Sequence, residues 1–182
     1  MEYNKKDLEE SIVSTIKAMT AIDKIAVNFE LEDVNFSSIN QNSFSTNQIS
    51  LPKITNNTLD QIRAFADLSA VYLKFHNKKI HQQHLENEQS QKLFDDFEKF
   101  RLIKQGSTEF RGILVNLEKI LAANLEAIND YSFLPFLLLE NPPLQTRIDA
   151  YKKIIAKEVI GGDLLAKIDQ LSELTKDQKA FS

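Results

Sequence analysis

Cysteine is absent from this sequence of 182 residues, and glycine and proline occur only four times each. Without cysteine the chain has no disulfide scaffold, no thiolate metal site and no cysteine nucleophile. The small number of glycines and prolines argues against a turn-rich β-sandwich, because each hairpin needs its own turn residues. The composition therefore favours a predominantly helical chain that is long enough to enclose one hydrophobic core.

An excess of positive charge and a long apolar run are also lacking. Lysine and arginine number 22 against 26 aspartates and glutamates, which gives a formal net charge of −4. Nucleic acid is therefore an unexpected partner, because it requires a basic face. The apolar run from Phe133 to Leu139 is too short to span a bilayer, and the N-terminus lacks the apolar core of a signal peptide. We predict no membrane span and a cytoplasmic location.

Apolar periodicity predicts one helix followed by a small β element near the N-terminus. An apolar stripe with steps of four, four and three residues predicts a helix from about Lys5 to Thr20. Apolar and polar residues then alternate from 25 to 31, as in a strand with one buried face. The apolar residues just before Pro52 predict a short return strand. We expect the two strands to form a two-stranded β-hairpin packed against helices.

The remainder of the chain reads as helices. Apolar residues cover most of the circumference of the segment from Leu59 to Phe75, which predicts a central buried helix. A second helix is expected to start near Glu88 and to end at Gly106, with the glycine as a left-handed C-terminal cap. A third is predicted over 113–128, followed by a buried helical turn and further helices. The fold class is thus mainly α (α+β), a multi-helix bundle with a small hairpin.

Three histidines, His76, His81 and His84, lie in one short segment and are the natural candidates for a metal site. On a continuous helix, five residues separate His76 from His81 by about 140° around the axis. The two therefore converge only if the chain breaks near Asn77. The alternative to a metal site is a group of exposed or hydrogen-bonded histidines. The sequence contains no GxxxxGK, GxGxxG or HExxH motif, so we do not expect this chain alone to hydrolyse nucleotides.

Two pairs of opposite charges have helical spacing. Arg63 and Asp67 are four residues apart, and Glu98 and Arg101 are three apart, so each pair can meet on the surface of its own helix. Exposed pairs of this kind are usually structural and weak. Because the helix that carries Arg63 and Asp67 is apolar nearly all round, we expect this pair to be partly desolvated, which leaves open, beside the ordinary structural role, that it organises a specific polar junction.

Several motifs keep a fixed order along the chain. Residues 17–29 combine a basic-Ala-aliphatic helix end with an alternating strand, and Leu51 and Pro52 form a Leu-Pro pair. From residue 63 to residue 116 the further motif residues follow without gaps: Arg63, Asp67, Ala70, His76, Ile80, His81, Phe94, Asp95, Glu98, Arg101, Gly106, Ser107, Gly112 and Asn116. In this order and spacing they resemble the N-terminal domain of CobT, a subunit of the aerobic, ATP-dependent cobaltochelatase of cobalamin biosynthesis.

The resemblance implies a single domain over 1–182, with a core at about 5–130 and C-terminal helices at about 131–176. It implies a noncatalytic assembly domain, with no catalytic residue and no cofactor of its own. Its implied partners are an AAA+ ATPase subunit and a large corrin-binding chelatase subunit, and cobalt, ATP and magnesium act at the level of the whole complex. The polar set expected to fix the helices or the docking surface is Arg63, Asp67, His76, His81, Glu98 and Arg101.

The family's longer members are implied to continue into an acidic linker and a C-terminal domain with a metal-ion-dependent adhesion site. That site needs Asp-x-Ser-x-Ser, and the nearest string, which starts at Asp67, lacks the last serine. We therefore interpret the chain as an N-terminal part or a short relative of the subunit. Two alternatives stay open: a metal-binding or metal-dependent enzyme domain that uses His76 and His81, and a helical scaffold with an unknown partner.

Overall fold

The computed structural model describes residues 4–32, 36, 44–45, 48–54, 59–81, 88–127, 131–139, 142–155 and 161–181. This part of the chain is mainly helical with a small sheet, which confirms the predicted fold class. In chain order its elements are α1 (Lys5–Thr20), β1 (Ala26–Leu31), β2 (Phe44–Ser45), β3 (Gln48–Pro52), α2 (Leu59–Phe75), α3 (Lys78–His81), α4 (Glu88–Glu109), α5 (Gly112–Ala127), a 3₁₀ helix (Tyr131–Leu138), α6 (Pro142–Ile155), α7 (Gly161–Glu173), a second 3₁₀ helix (Leu174–Lys176) and α8 (Gln178–Phe181).

Helix α1 has the predicted bounds and a defined cap at each end. At its start, the side chain of Asn4 accepts a hydrogen bond from the Lys6 N–H at 3.1 Å. At its end, Ala21 adopts the left-handed conformation (φ 57°, ψ 28°) and donates its N–H to the Lys17 carbonyl at 2.9 Å. The side chains that α1 buries come from the predicted stripe: Ile12, Ile16 and Met19.

The left-handed cap at Ala21 leads to a stability prediction. An L-residue with a Cβ is strained at positive φ, whereas glycine adopts this conformation freely. We expect Ala21→Gly to raise the free energy of unfolding by roughly 0.5–1 kcal/mol, after allowance for the greater freedom of glycine in the unfolded chain. Ala18→Gly, at an exposed position inside α1, is the matched control and should lower it by about 1 kcal/mol. Urea denaturation followed by circular dichroism measures both, and a loss of stability in Ala21→Gly would contradict the prediction.

The small sheet differs from the predicted hairpin. Strand β3 lies between β1 and β2, and it pairs with β1 in parallel and with β2 in antiparallel orientation. The return strand before Pro52 exists, but its predicted antiparallel pairing with β1 is wrong. A parallel return needs a crossover of a dozen or more residues, and the chain between β1 and β3 is long enough to provide one. Alternation predicts which face is buried and says nothing of strand direction.

Helix α2 is the central helix of the core, as predicted. It contacts α1, α4, α5 and β3, and ten of its 17 residues are buried. The facing residues of β3, Ile49 and Leu51, are fully buried and are paired in register with Val27 and Phe29 of β1. The apolar face of the sheet therefore packs into the same core as the helices.

Gly106 does not end a helix, so the prediction of a left-handed cap there is wrong. Helix α4 continues through Gly106 to Glu109, and no glycine among the described residues has a positive φ. A Cβ at Gly106 would lie 2.4 Å from Val71 Cγ1 on α2 and 3.0 Å from Ile113 Cδ1 on α5. Glycine is needed here because three helices approach closely, which the sequence pattern of one helix does not report.

The C-terminal part of the chain packs back onto α4. The first 3₁₀ helix is the predicted buried turn: residues 134–139 are buried, and the rings of Phe136 and Phe100 are 4.4 Å apart between centroids. Helix α7 and the second 3₁₀ helix follow, and α8 extends the helical region beyond the predicted end of the last helix. Within the described ranges, no helix combines the length and apolar character needed to cross a membrane.

Candidate functional site

The helix is interrupted between α2 and α3, and this interruption brings His76 and His81 together. Helix α2 ends at Phe75, and α3 begins at Lys78. The side chain of Asn77 accepts the Lys79 N–H at 3.0 Å, which caps the new helix. The ring centroids of His76 and His81 are 5.0 Å apart. The condition for convergence, a break near Asn77, is therefore fulfilled.

Helix α4 supplies a carboxylate to each of these imidazoles. His76 Nδ1 lies 2.8 Å from Glu98 Oε1, and His81 Nε2 lies 2.6 Å from Asp95 Oδ1. The potential ligand atoms of His76, His81 and Glu98 all lie within 4.8 Å of one another. The third histidine of the segment, His84, lies outside the described residues. Both carboxylates reach the histidines by tertiary contact, from 14 and 22 residues further along the chain.

Arg101 is buried in the same cluster and forms a bidentate ion pair with Glu98. Its Nε donates to Glu98 Oε2 at 2.6 Å and its Nη2 to Glu98 Oε1 at 2.8 Å, and both side chains are 1% exposed. Nη1 donates to the Gln105 side chain and to the Thr175 carbonyl, each at 2.8 Å, and Nη2 is 3.3 Å from the Phe75 carbonyl. Arg101 therefore connects the end of α2 and the C-terminal segment to α4.

The C-terminal segment also holds the turn that carries His76. The Gln178 side chain accepts the Asn77 N–H at 2.6 Å and donates to the Asn77 carbonyl at 3.1 Å. Gln178 and Thr175 are both buried, and the ring of Phe181 lies 5.9 Å from the Arg101 guanidinium. The turn between α2 and α3 is thus fixed from one side by α4 and from the other by residues 175–181.

Burial and neighbouring charges shift the pKa values of Glu98 and His81 in opposite directions. Burial alone would raise the pKa of Glu98, but hydrogen bonds from Arg101 and His76 and the charge of Arg101 outweigh it, so the pKa is lower than usual. Burial lowers the pKa of His81, although the hydrogen bond and charge of Asp95 oppose this effect. At neutral pH the cluster therefore holds an ionised Glu98 and a neutral His81.

Arg63 and Asp67 do not belong to this cluster. Asp67 is buried and accepts a hydrogen bond from Asn116 Nδ2 of α5 at 2.7 Å, whereas Arg63 is exposed. The expectation that both members of the pair would be desolvated is therefore wrong for Arg63. Its position on α2 faces solvent, so it acts on Asp67 only through its charge. The predicted set of six divides into four residues that meet at the α2–α4 junction and two that do not.

Asp67 provides a pH-dependent prediction. Burial raises its pKa, and the hydrogen bond from Asn116 and the charge of Arg63 offset this only in part. Since the pKa is higher in the folded state than in the unfolded state, ionised Asp67 costs stability at neutral pH. This cost begins to decrease as pH falls through the raised folded pKa, and it is gone below the ordinary pKa of the unfolded state. We expect Asp67→Asn, whose amide oxygen can accept from Asn116, to be more stable than the wild type at pH 7. The difference should shrink as pH falls, in urea titrations at a series of pH values. Asp163→Asn, at an exposed position, is the control, and a gain that does not change with pH would contradict the prediction.

Sequence reasoning missed several residues that shape these junctions. Asp95 and Asn116 belong to the ordered motifs, so their place in that pattern was a usable signal. Gln178 carries no such signal, because its role depends on a contact across 101 residues. Lys99 is 2% exposed, and its Nζ donates to the Phe36 carbonyl at 3.2 Å, while burial lowers its pKa. A lysine beside an expected ion pair gives no indication that it is buried.

Comparison with known families gives one match. The model of a family described as cobalamin biosynthesis protein CobT matches residues 2–130, which is more than two-thirds of the chain. No curated protein and no solved structure is significantly similar to the chain. The matched region contains α1 to α5 and all six residues of the predicted polar set, whereas Thr175 and Gln178 lie outside it.

Proposed function

The chain belongs to the CobT family of cobalamin biosynthesis proteins, and we propose that it acts there as a noncatalytic assembly module of a cobaltochelatase. In this role it binds an AAA+ ATPase subunit, which hydrolyses ATP with magnesium. Cobalt insertion into the corrin ring takes place on a separate large subunit. Cobalt is a substrate of the complex in this proposal. The family match is the observation that carries the proposal.

The charged groups of Arg101 and Glu98 are engaged with protein partners, which supports a structural role for them. All three nitrogens of the Arg101 guanidinium donate to protein acceptors, and both oxygens of Glu98 accept from Arg101. Groups engaged in this way stabilise a junction between helices, and they are not free to bind a nucleotide. A cluster that fixes the relative positions of α2, α4 and the C-terminal segment suits a module whose outer surface meets a partner.

The proposal is tested by direct binding. The purified chain is titrated into the AAA+ subunit of the same organism, with ATPγS, with ADP and without nucleotide, and binding is followed by calorimetry and by size-exclusion chromatography with light scattering. We expect a stable complex in at least one nucleotide state, and no ATP hydrolysis by the chain alone. The variant Arg101→Met, which we expect to be severely destabilised, serves as the negative control for binding that requires the fold.

Two outcomes would overturn the docking role. If a longer CobT-family protein binds the AAA+ subunit and this folded chain does not, the docking surface lies elsewhere. If neither binds, the alternative of a helical scaffold with another partner replaces the proposal.

A cytoplasmic location belongs to the same proposal, because the partner's ATP hydrolysis requires the cytoplasmic ATP pool. Fractionation of the host cells tests it.

A further inference from the structure

Two nitrogen atoms in the His76–His81 cluster stand out among the described residues. His76 Nε2 and His81 Nδ1 are buried and have no hydrogen-bond partner there. A buried polar atom without a hydrogen-bond partner is costly, and the great majority of buried polar atoms in proteins have a partner. Here two of them lie on neighbouring rings whose centroids are 5.0 Å apart. The pair therefore requires an explanation that a simple structural ion network does not provide.

The other nitrogen of each ring determines what these two atoms can do. His76 Nδ1 faces Glu98 and His81 Nε2 faces Asp95, at 2.8 and 2.6 Å. An ionised carboxylate only accepts hydrogen bonds, so an imidazole that holds a single proton keeps it on the nitrogen that faces the carboxylate. His76 Nε2 and His81 Nδ1 then carry lone pairs. A histidine that gives one N–H to a carboxylate and keeps the other nitrogen as a lone pair has the usual arrangement of a metal ligand.

The charges around the two rings favour a cation. Glu98 and Asp95 each bring one negative charge, and Arg101 brings one positive charge, so these three groups sum to one negative charge. His76 and His81 offer two imidazole nitrogens beside this negative charge. Imidazole ligands suit late first-row divalent ions such as Zn²⁺ and Co²⁺, whereas Mg²⁺ and Ca²⁺ prefer oxygen ligands alone.

We propose that His76 Nε2 and His81 Nδ1 are ligands of a late first-row divalent transition-metal ion, with Asp95 and Glu98 holding the two rings in position. The break at Asn77 is what makes the site, because it turns two histidines that would diverge on one helix toward each other. The site is independent of the assembly role, since a chain that binds no AAA+ subunit can still bind the metal.

The test uses tag-free protein treated with a chelator and then dialysed against Zn²⁺ or Co²⁺. Metal content by mass spectrometry and calorimetric titration should give one ion per chain, and Co²⁺ should give the visible d–d bands of a nitrogen- and oxygen-ligated ion. In His76→Asn and His81→Gln, an amide N–H takes the position of the ring nitrogen that faces the carboxylate, and the ring nitrogen with the lone pair is removed. Each should abolish binding, and Asp95→Asn should weaken it by about 10–100-fold. His84→Ala should bind like the wild type and controls for binding by a lone histidine.

A measurement on the wild type keeps the proposal falsifiable if a variant does not fold. Nitrogen-15 spectra of the histidine rings should show His76 Nε2 and His81 Nδ1 shifting on addition of Zn²⁺, while His76 Nδ1 and His81 Nε2 stay protonated. The proposal is wrong if the folded wild type binds neither ion. It is also wrong if folded His76→Asn and His81→Gln retain binding, or if the shifted nitrogens are those that face the carboxylates.

Discussion

Replacing Arg101 by methionine should lower the free energy of unfolding by about 3–5 kcal/mol, the usual cost of removing one partner from a buried ion pair. Methionine fills much of the same volume, so the loss comes from Glu98, which would keep a buried charge without its guanidinium. The carbonyls of Phe75 and Thr175 would also lose their donor. The measurement is urea denaturation at pH 7, and a loss below about 1 kcal/mol would contradict this account of the junction.

Two comparisons separate the buried pair from a general effect of losing an arginine. Arg63→Met removes an exposed guanidinium and should change stability by no more than about 0.5 kcal/mol. The double variant Arg101→Met with Glu98→Leu leaves no unpaired charge and should regain part of the loss, although His76 then loses its acceptor.

The pH dependence of the stability of Arg101→Met gives a second test of the buried ion pair. The pKa of Glu98 is lowered in the folded wild type, so its stabilising contribution is present above the ordinary pKa of a glutamate and is lost as pH falls through the lower folded value. The difference between wild type and Arg101→Met should therefore be largest near neutral pH and should narrow in acid. A difference that does not vary with pH would mean that lost packing, and not the ion pair, accounts for the effect.

The parts of the fold that could be predicted are those governed by neighbours along the chain. The stripe of α1 and the nearly continuous apolar surface of α2 depend on local periodicity, and both helices formed as expected. The direction of β3 and the role of Gly106 depend on which distant elements meet, and both predictions were wrong. Periodicity reports the buried face of an element but not the element that covers it.

In the candidate site, too, local spacing predicts some contacts, while others depend on distant elements. Glu98 and Arg101 are three residues apart on α4, so their contact could be expected from helical spacing alone. The convergence of His76 and His81 was predictable only as a condition, since nothing local required the break at Asn77. The tertiary contacts of Asp95 and Gln178 could not be derived from spacing, because α4 and α8 reach the turn from far along the chain.

Gly106→Ala should lower the free energy of unfolding by about 1–3 kcal/mol, which is typical of an overpacked core. Alanine is normally favoured over glycine inside a helix by about 0.8–1 kcal/mol, so a loss of stability would be opposite to the effect of propensity. The reason is the distance of 2.4 Å between a Cβ at this position and Val71 Cγ1. Val71 is fully buried on α2, and its β-branched side chain has little rotameric freedom with which to move away.

A double-mutant cycle with Val71→Ala tests this cause directly, because that change removes the atom that clashes. In the Val71→Ala background, Gly106→Ala should become neutral or stabilising, which gives a coupling energy of about 1–3 kcal/mol between the two sites. Gly112→Ala is the matched control: a Cβ there would meet nothing within 4 Å, so stability should not fall. If Gly106→Ala costs the same with valine or alanine at position 71, the close approach of α2 and α4 does not explain the glycine. If it costs nothing in the wild-type background, α2 and α4 can separate enough to admit the Cβ, and close packing at Gly106 does not limit stability.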